Sequence, residues 1–422
     1  MLRFASSPTG DIHIGDLRIA ILNYIVAQQR GEDLLVRIED TNKEKNIEGK
    51  DQEILDLLAL FGIEYSQVIY QSESVRFHSA MALQLIHEKK AFSCFCSPEW
   101  IERKHEESKA ANKVYRYDDA CRNLPAELVI DNTSPFTIRV ARPNEDIVIE
   151  DKIQGSITFT PDTVDSFIIM HQDKTPTYNF SSAVDDMLSD ISIVIRDEKD
   201  MGSTPKQEHI RVSLKYDKKV EYAHLPTILN DDVSVKFLLE EGFLPEAITN
   251  YLISTANKPP REIFKMQDAV EWFDLDKVPK ESVEFDINRL KDINKKHLLE
   301  LDAKELSRYV GFADEEIGKL ARVYLEEVGT TKELRAKIEP IFAPKVISDE
   351  FKESAEKMRT AIKNAPYFEE YDGFKSYIMK ESGVTGEEFL KTLHLLLTGA
   401  EDGPDITLVY KYLKNYIGEI IK

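Results

Sequence analysis

The chain reads as an α/β fold that carries an inserted α+β module and ends in an all-α region, and three features predict this. A short apolar strand, Leu2 to Ala5, breaks in a Ser/Pro/Thr/Gly turn and enters a helical run from Gly15 to about Arg30. Short apolar strands then alternate with amphipathic helices as far as Lys89. Beyond Asp286 nearly every stretch has helical spacing.

Each element follows from its own pattern. Leu34-Leu35-Val36-Arg37-Ile38 is a continuous apolar run of strand length, as expected of a strand covered on both faces. Ile47 to Phe61 has helical spacing, Gln67 to Tyr70 offers a further strand, and a helix follows from about Ser74 to Lys89. This β-α-β-α order predicts a parallel sheet with right-handed crossovers. The pattern breaks at Cys94, where a charged helix (Pro98 to Ala111) precedes alternating strands around Thr137–Val140 and Ile147–Phe159. The α/β order returns from Val164 to about Leu214. In the last region Ile317, Leu320, Ala321, Tyr324, Leu325 and Val328 form one helical stripe, with Asp314 as its cap and Gly329 as its stop. Phe351, Ala355, Met358 and Ile362 repeat the stripe, which marks core and carries no chemistry. The predicted division is residues 1–91 with 164–215, an insert at 92–163, a connecting region at 216–284, and a helical domain at 285–422.

Composition narrows the function classes. With 422 residues, 42% hydrophobic and 31% charged, the chain is that of a globular protein with room for several domains. No apolar run is long enough for a membrane span, and the N-terminus lacks the basic-then-apolar order of a secretion signal. Three cysteines, an odd number, argue against a disulfide framework and for a reducing, cytoplasmic setting. A net charge of −21 excludes a generally basic coat, although a local basic groove on an acidic body still accommodates RNA.

The first turn is the place where α/β folds hold phosphate, between a strand and a helix N-terminus. Here it reads Arg3-Phe-Ala5-Ser-Ser7-Pro-Thr9-Gly-Asp-Ile-His13-Ile-Gly15. Glu39, in Arg37-Ile-Glu39-Asp-Thr41, falls just past a buried strand, at the sheet edge where ligands bind; the plainer reading is a loop carboxylate capping the next helix. Further on come Pro176-Thr-Tyr178-Asn-Phe180, Asp185-Asp186 and Val194-Ile-Arg196. Cys94-Phe-Cys96 and Tyr117-Asp-Asp-Ala-Cys121 gather all three thiols within 28 positions, a grouping that suits a structural metal ion as well as inert burial.

These segments resemble, over nearly the whole chain, the glutamyl-tRNA synthetases of class I. The first turn is similar to that family's HIGH region, R-x-A-P-S-P-T-G-x-x-H-I-G, and the later segments to its R-I-E-D-T and P-T-Y-x-F…D-D…R blocks. The resemblance implies a Rossmann-like catalytic domain, a zinc-bearing insert that meets the tRNA acceptor end, and a helical anticodon-binding region. It implies ATP-dependent activation of L-glutamate to glutamyl-adenylate, with Mg2+, followed by transfer to the 3' end of tRNA(Glu); whether tRNA(Gln) is a second acceptor is left open. His13 and Thr9 would contact phosphates, and Gly15 would let adenine approach the backbone. A dicarboxylic substrate needs two cationic clamps, which Arg3 and Arg196 would supply with the bidentate geometry of arginine, Tyr178 adding a hydrogen bond. Ala5 would line the amino-acid pocket, and Glu39 and Ser7 would receive the ammonium. The C-x-C…Y-x-x-x-C spacing is similar to a zinc site in some members, implying Zn2+ on Cys94, Cys96, Tyr117 and Cys121, with His105 a rival fourth ligand. A monomer is expected.

The chain also departs from the family. Its K-[LM]-S-K-[RS] loop is absent: Asn230-Asp231-Asp232 runs straight into Val233-Ser-Val-Lys236. Asp16 follows Gly15 where Gly or Asn is usual, and the turn after the second arginine reads Arg196-Asp-Glu-Lys-Asp200. Those lysines would stabilise the transition state of adenylate formation. The departures define an alternative: a catalytically impaired paralogue that binds tRNA or glutamate.

Overall fold

The computed structural model describes residues 1–230 and 232–421. Asp231, part of the shortened junction, and Lys422 lie outside the described residues. Two compact units are present: Met1–Val235 with Leu252–Phe285, and Lys236–Tyr251 with Asp286–Lys422.

In the first unit, β1 (Leu2–Ser6), α1 (Ile14–Arg30), β2 (Leu34–Ile38), α2 (Lys50–Leu60), β3 (Gln67–Tyr70) and α3 (Val75–His87) follow the predicted alternation. β1, β2 and β3 pair in parallel, with Phe4 opposite Val36 and Arg37 opposite Ile69. All five residues of β2 are buried, as its unbroken apolar run requires. The α1 helix ends where the sequence allows a left-handed residue, at Gly31 with φ 61°.

β4 (Ala91–Cys94), α4 (Pro98–Ala110), α5 (Ala126–Ile130), β5 (Thr137–Val140), β6 (Ile147–Asp151), β7 (Gly155–Phe159), α6 (Pro161–Val164) and β8 (Ile168–Met170) come next. They are followed by α7 (Tyr178–Leu188), β9 (Ile193–Asp197), α8 (Thr204–Ser213) and β10 (Glu221–Leu225). The antiparallel sheet β4-β5-β8 stays within the middle of the chain. The second predicted strand region is instead a hairpin, β6 and β7, whose turn is set by Asp151 accepting from the amides of Ile153 and Gln154 at 2.9 and 2.8 Å.

That hairpin joins β10 and β9 in one sheet of order β7-β6-β10-β9. The division read from the sequence had placed it in the insert at 92–163, and β10 in a separate region at 216–284. The physical reason is pairing: β10 bonds β9 along its whole length, Glu221–Leu225 against Ile193–Asp197. Residues 252–285 also belong to the first unit.

The second unit is helical. The stripe at Ile317 forms the helix Glu315–Tyr324, with Asp314 accepting from the amides of Glu316 and Ile317. The helix stops at Tyr324, short of the expected Gly329, while Leu325 and Val328 are buried all the same. Gly318 on this helix has no room for a side chain, since a Cβ there would sit 1.6 Å from the Ala303 carbonyl oxygen. The second stripe forms the helix Lys352–Lys363 and buries Ala355, Met358 and Ile362.

Candidate active site

Two neighbouring cavities open at the C-terminal edge of the parallel strands, and Glu39 and Tyr178 line both. The smaller, about 410 Å³, is lined by Arg3 and Ala5 of β1, His13, Gly15 and Asp16 at the mouth of α1, and Arg196 at the end of β9. Arg37, Asp197, Lys199, Asp200 and Asp232 complete its charged wall. The larger, about 1580 Å³, takes in Ser7, Thr9, Gln71, His105 and His171. The structure thus brings Arg3, Ala5, His13, Gly15, Glu39, Tyr178 and Arg196 together, and puts Ser7 and Thr9 on the exposed turn facing the larger space.

The floor of the small cavity is an ion-pair network that sequence reasoning missed. Arg3 Nε donates to Asp186 Oδ1 at 3.3 Å and Arg37 donates to the same oxygen at 2.6 Å. Arg37 also holds Glu39 Oε1, at 3.1 Å through its terminal nitrogen, and Ser182 donates to that oxygen at 3.2 Å. Asp186 sits 1% exposed on α7, with Arg3 and Arg37 at 5% and 2%. Burial alone would neutralise its carboxyl, but Arg3 and Arg37, helped by Arg211, hold it down to about 2. Beside it, Gln71 donates to Asp185 at 2.8 Å and His78 bonds the other Asp185 oxygen at 2.7 Å.

Arg196 is held differently. Its guanidinium meets Gln207 Oε1 at 3.1 Å, Thr204 Oγ1 at 2.6 Å and His224 Nε2 at 3.1 Å, all neutral acceptors. Tyr178, at the first turn of α7, presents its hydroxyl to the same space, pushed up to about 12 first by desolvation and then by Glu39, with Arg196 opposing. A cation that is 6% exposed with only neutral partners is arranged to receive an anion.

At the helix mouth Asp16 accepts from the His13 amide at 3.3 Å, so the unusual carboxylate closes the first turn of α1. The shortened junction is tied to the same turn: the Ile14 amide donates to the Val233 carbonyl at 3.3 Å, and the Val235 amide to that of Ile12 at 2.9 Å. His13 and Ser234 form an antiparallel bridge there.

The thiols converge as the spacing suggested. The sulfurs of Cys94, Cys96 and Cys121 lie within 4.8 Å of one another, and the Tyr117 hydroxyl is 3.3 Å from Cys94 Sγ and 3.4 Å from Cys96 Sγ. His105 instead packs tilted against Tyr115, with ring centroids 3.9 Å apart. Buried Arg139 donates to Cys94 Sγ at 3.4 Å and covers the Tyr117 ring at 4.0 Å. Among the described residues no helix is long and apolar enough to cross a membrane.

Residues 1–292 match the family described as tRNA synthetases class I (E and Q), catalytic domain. The chain is 62% identical to glutamate–tRNA ligase 2 of Sulfurimonas denitrificans and 48% identical to glutamate–tRNA ligase 1 of Nitratiruptor sp., over all of each chain. Both alignments run over 432 positions against 422 residues here, so at least ten positions of each relative have no counterpart. The fold matches that of a glutamate tRNA ligase from Elizabethkingia meningosepticum with a TM-score of 0.83 at 24% identity, covering 99% of this chain and 98% of that one. With a family match over residues 1–292 and full-length relatives above 30% identity, the chain belongs to the class I tRNA synthetases of the E and Q type.

Proposed function

We propose that the chain is a glutamate–tRNA ligase, joining L-glutamate to ATP as glutamyl-adenylate with release of pyrophosphate and then passing the acyl group to the 3' end of tRNA(Glu) with release of AMP. The observation that carries this is the pairing of Arg196, caged by neutral acceptors, with Glu39 across one cavity. An amino acid with an acidic side chain fits both: its carboxylate answers Arg196 and Arg3, its ammonium answers Glu39. A neutral side-chain amide would leave the arginine charge unanswered, which disfavours glutamine.

ATP would lie along the mouth of α1, its phosphates near His13, with Thr9 on the adjoining turn and Gly15 under the adenine. Asp16, Asp197, Asp200 and Asp232 share that wall with His13 and Lys199. Four carboxylates suit a triphosphate complexed with Mg2+ and oppose a bare one. Catalysis is then positioning and charge stabilisation, with no covalent nucleophile from the protein. The middle of the chain would meet the acceptor end and the helical region from about 285 the anticodon. A monomer in the cytoplasm completes the reading, and tRNA(Gln) is the second acceptor to test.

The test is ATP–pyrophosphate exchange by the full chain with tRNA(Glu), comparing glutamate with glutamine. Glutamate-dependent exchange is the expected result. The shortened junction at Asn230–Val233 favours a second reading, a tRNA- or glutamate-binding paralogue; tRNA binding with no exchange would establish that reading and defeat the first.

The thiol cluster fits Zn2+. Three sulfurs and a phenol oxygen already converge, as a closed tetrahedral shell needs, and buried Arg139 offsets the negative charge of three thiolates around one dication. Elemental analysis of protein purified without chelators is expected to give about one zinc per chain. Cys121→Ser should lower that content sharply, and zinc-free wild-type protein would sink the assignment.

A further inference from the structure

Three buried residues on adjacent strands form a chain that ends on Arg196. β10 lies between β6 and β9; His224 is opposite Arg196 in one ladder, and Tyr222 is opposite Asp151 in the other. Asp151 Oδ2 accepts from the His224 ring at Nδ1, 2.6 Å away, and from the His224 backbone amide at 3.1 Å. The other oxygen of Asp151 is occupied by the hairpin amides of Ile153 and Gln154. On the far side of the imidazole, Arg196 Nε lies 3.1 Å and Thr204 Oγ1 2.9 Å from Nε2. His224 is 0% exposed and Asp151 5%.

The hydrogen-bond roles leave one arrangement. An arginine Nε–H can only donate, so Nε2 of His224 must present its lone pair. The ring proton then sits on Nδ1, directed at the Asp151 carboxylate. Asp151 is held as an acceptor by three backbone amides and so fixes the tautomer, which fixes the acceptor that orients Arg196.

We infer that Asp151 and His224 are positioning residues that hold the Arg196 guanidinium in its anion-receiving pose by keeping His224 in the Nδ1–H tautomer. This rests on the reading of Arg196 as the clamp for the substrate side-chain carboxylate. Its consequence is a pH dependence of substrate binding. A proton on Nε2 replaces an acceptor with a donor facing Arg196 and puts a second positive charge beside it. The groups facing His224 are Asp151 on β6, Arg196 on β9, Asp200 in the turn after β9, and Tyr222 stacked at 6.2 Å on its own strand; Thr204, its neighbour from α8, does not titrate. Burial and the nearby Arg196 push the imidazole below its ordinary value, against the opposing pull of Asp151. The neutral ring therefore persists through neutral pH and is lost on the acid side.

The test measures the glutamate KM, the ATP KM and kcat of the full chain between about pH 5 and pH 8. Wild-type protein should show a glutamate KM rising about tenfold per pH unit once the imidazole protonates, with the ATP KM level. His224→Ala and Asp151→Asn should raise the glutamate KM about ten- to hundredfold at neutral pH, again sparing the ATP KM. His224→Gln offers a carbonyl at the Nε2 position that cannot titrate, so it should restore binding to within about threefold and flatten the acid limb. Equal losses in both KM values, or an unchanged acid limb in the Gln variant, would show a merely structural role and overturn the inference.

Nitrogen-15 NMR of the imidazole in substrate-free wild-type protein provides a second measurement. Protonation on Nδ1 at neutral pH supports the inference, and protonation on Nε2 overturns it, whatever the substrate. Absence of glutamate-dependent activity in wild-type protein defeats the proposed function alone, and the tautomer then decides the inference.

Discussion

Asp186→Ala is expected to lower the folding stability of the chain by about 3–5 kcal/mol, the range for removing one partner from a buried ion pair. Arg3 and Arg37 both donate to one oxygen of this carboxylate, and both are almost wholly buried. Removing it leaves two buried cations, of which only Arg37 retains an acidic partner, Glu39. Asp186→Asn separates charge from shape: the amide oxygen still accepts from Arg37, so the loss should be smaller, about 1–3 kcal/mol. The pH dependence has a definite sign. The Asp186 carboxyl is depressed in the folded chain, so its contribution is complete above the ordinary carboxylate value of about 4. It is lost as pH falls from there through about 2, its folded value. Urea midpoints of the wild type should fall over that window, and those of the Asn variant should fall less. An Ala variant as stable as wild type would refute the account of the network.

Arg196→Leu is expected to do the reverse: a collapse of glutamate use with little loss of stability. The arginine is buried against Thr204, Gln207 and His224, none of which carries a compensating negative charge. Deleting it removes an ionised group that folding had to desolvate without a counter-ion, so stability should stay within about 1 kcal/mol of wild type or rise. Truncating one side of a buried charge pair with the substrate costs about 2–5 kcal/mol, a loss of roughly 30- to several-thousand-fold in kcat/KM for glutamate. Arg196→Lys keeps the charge but loses the fork, and should recover only part of this. Activity assays paired with thermal unfolding check both halves; a Leu variant that unfolds early would show that Arg196 is structural.

The two arginines of the pocket thus differ in kind. Arg3 donates to a carboxylate of the protein, Asp186, whereas Arg196 donates to the neutral acceptors Thr204, Gln207 and His224.

The residue order by itself determined the local elements. Strand and helix periods, the Ser/Pro/Thr/Gly turn and the aspartate cap at Asp314 are written within a few neighbouring residues, and β3 falls at Gln67–Tyr70 as read. It also marked Arg3, His13, Glu39, Tyr178 and Arg196 as one group through its resemblance to a family. What it did not reveal are the partners. Asp186 meets Arg37 across 149 residues, Ser182 meets Glu39 across 143, and Gln71 meets Asp185 across 114. No period or motif signals such a pair, because a buried carboxylate and a solvated one look alike in a sequence. Strand pairing was hidden for the same reason: nothing local in Glu221–Leu225 says that it bonds β9 and brings His224 against Arg196. Tertiary structure decided which charges meet a counter-ion and which meet only neutral acceptors, because burial, which sets the energy of an ion, is a property of the packed chain alone.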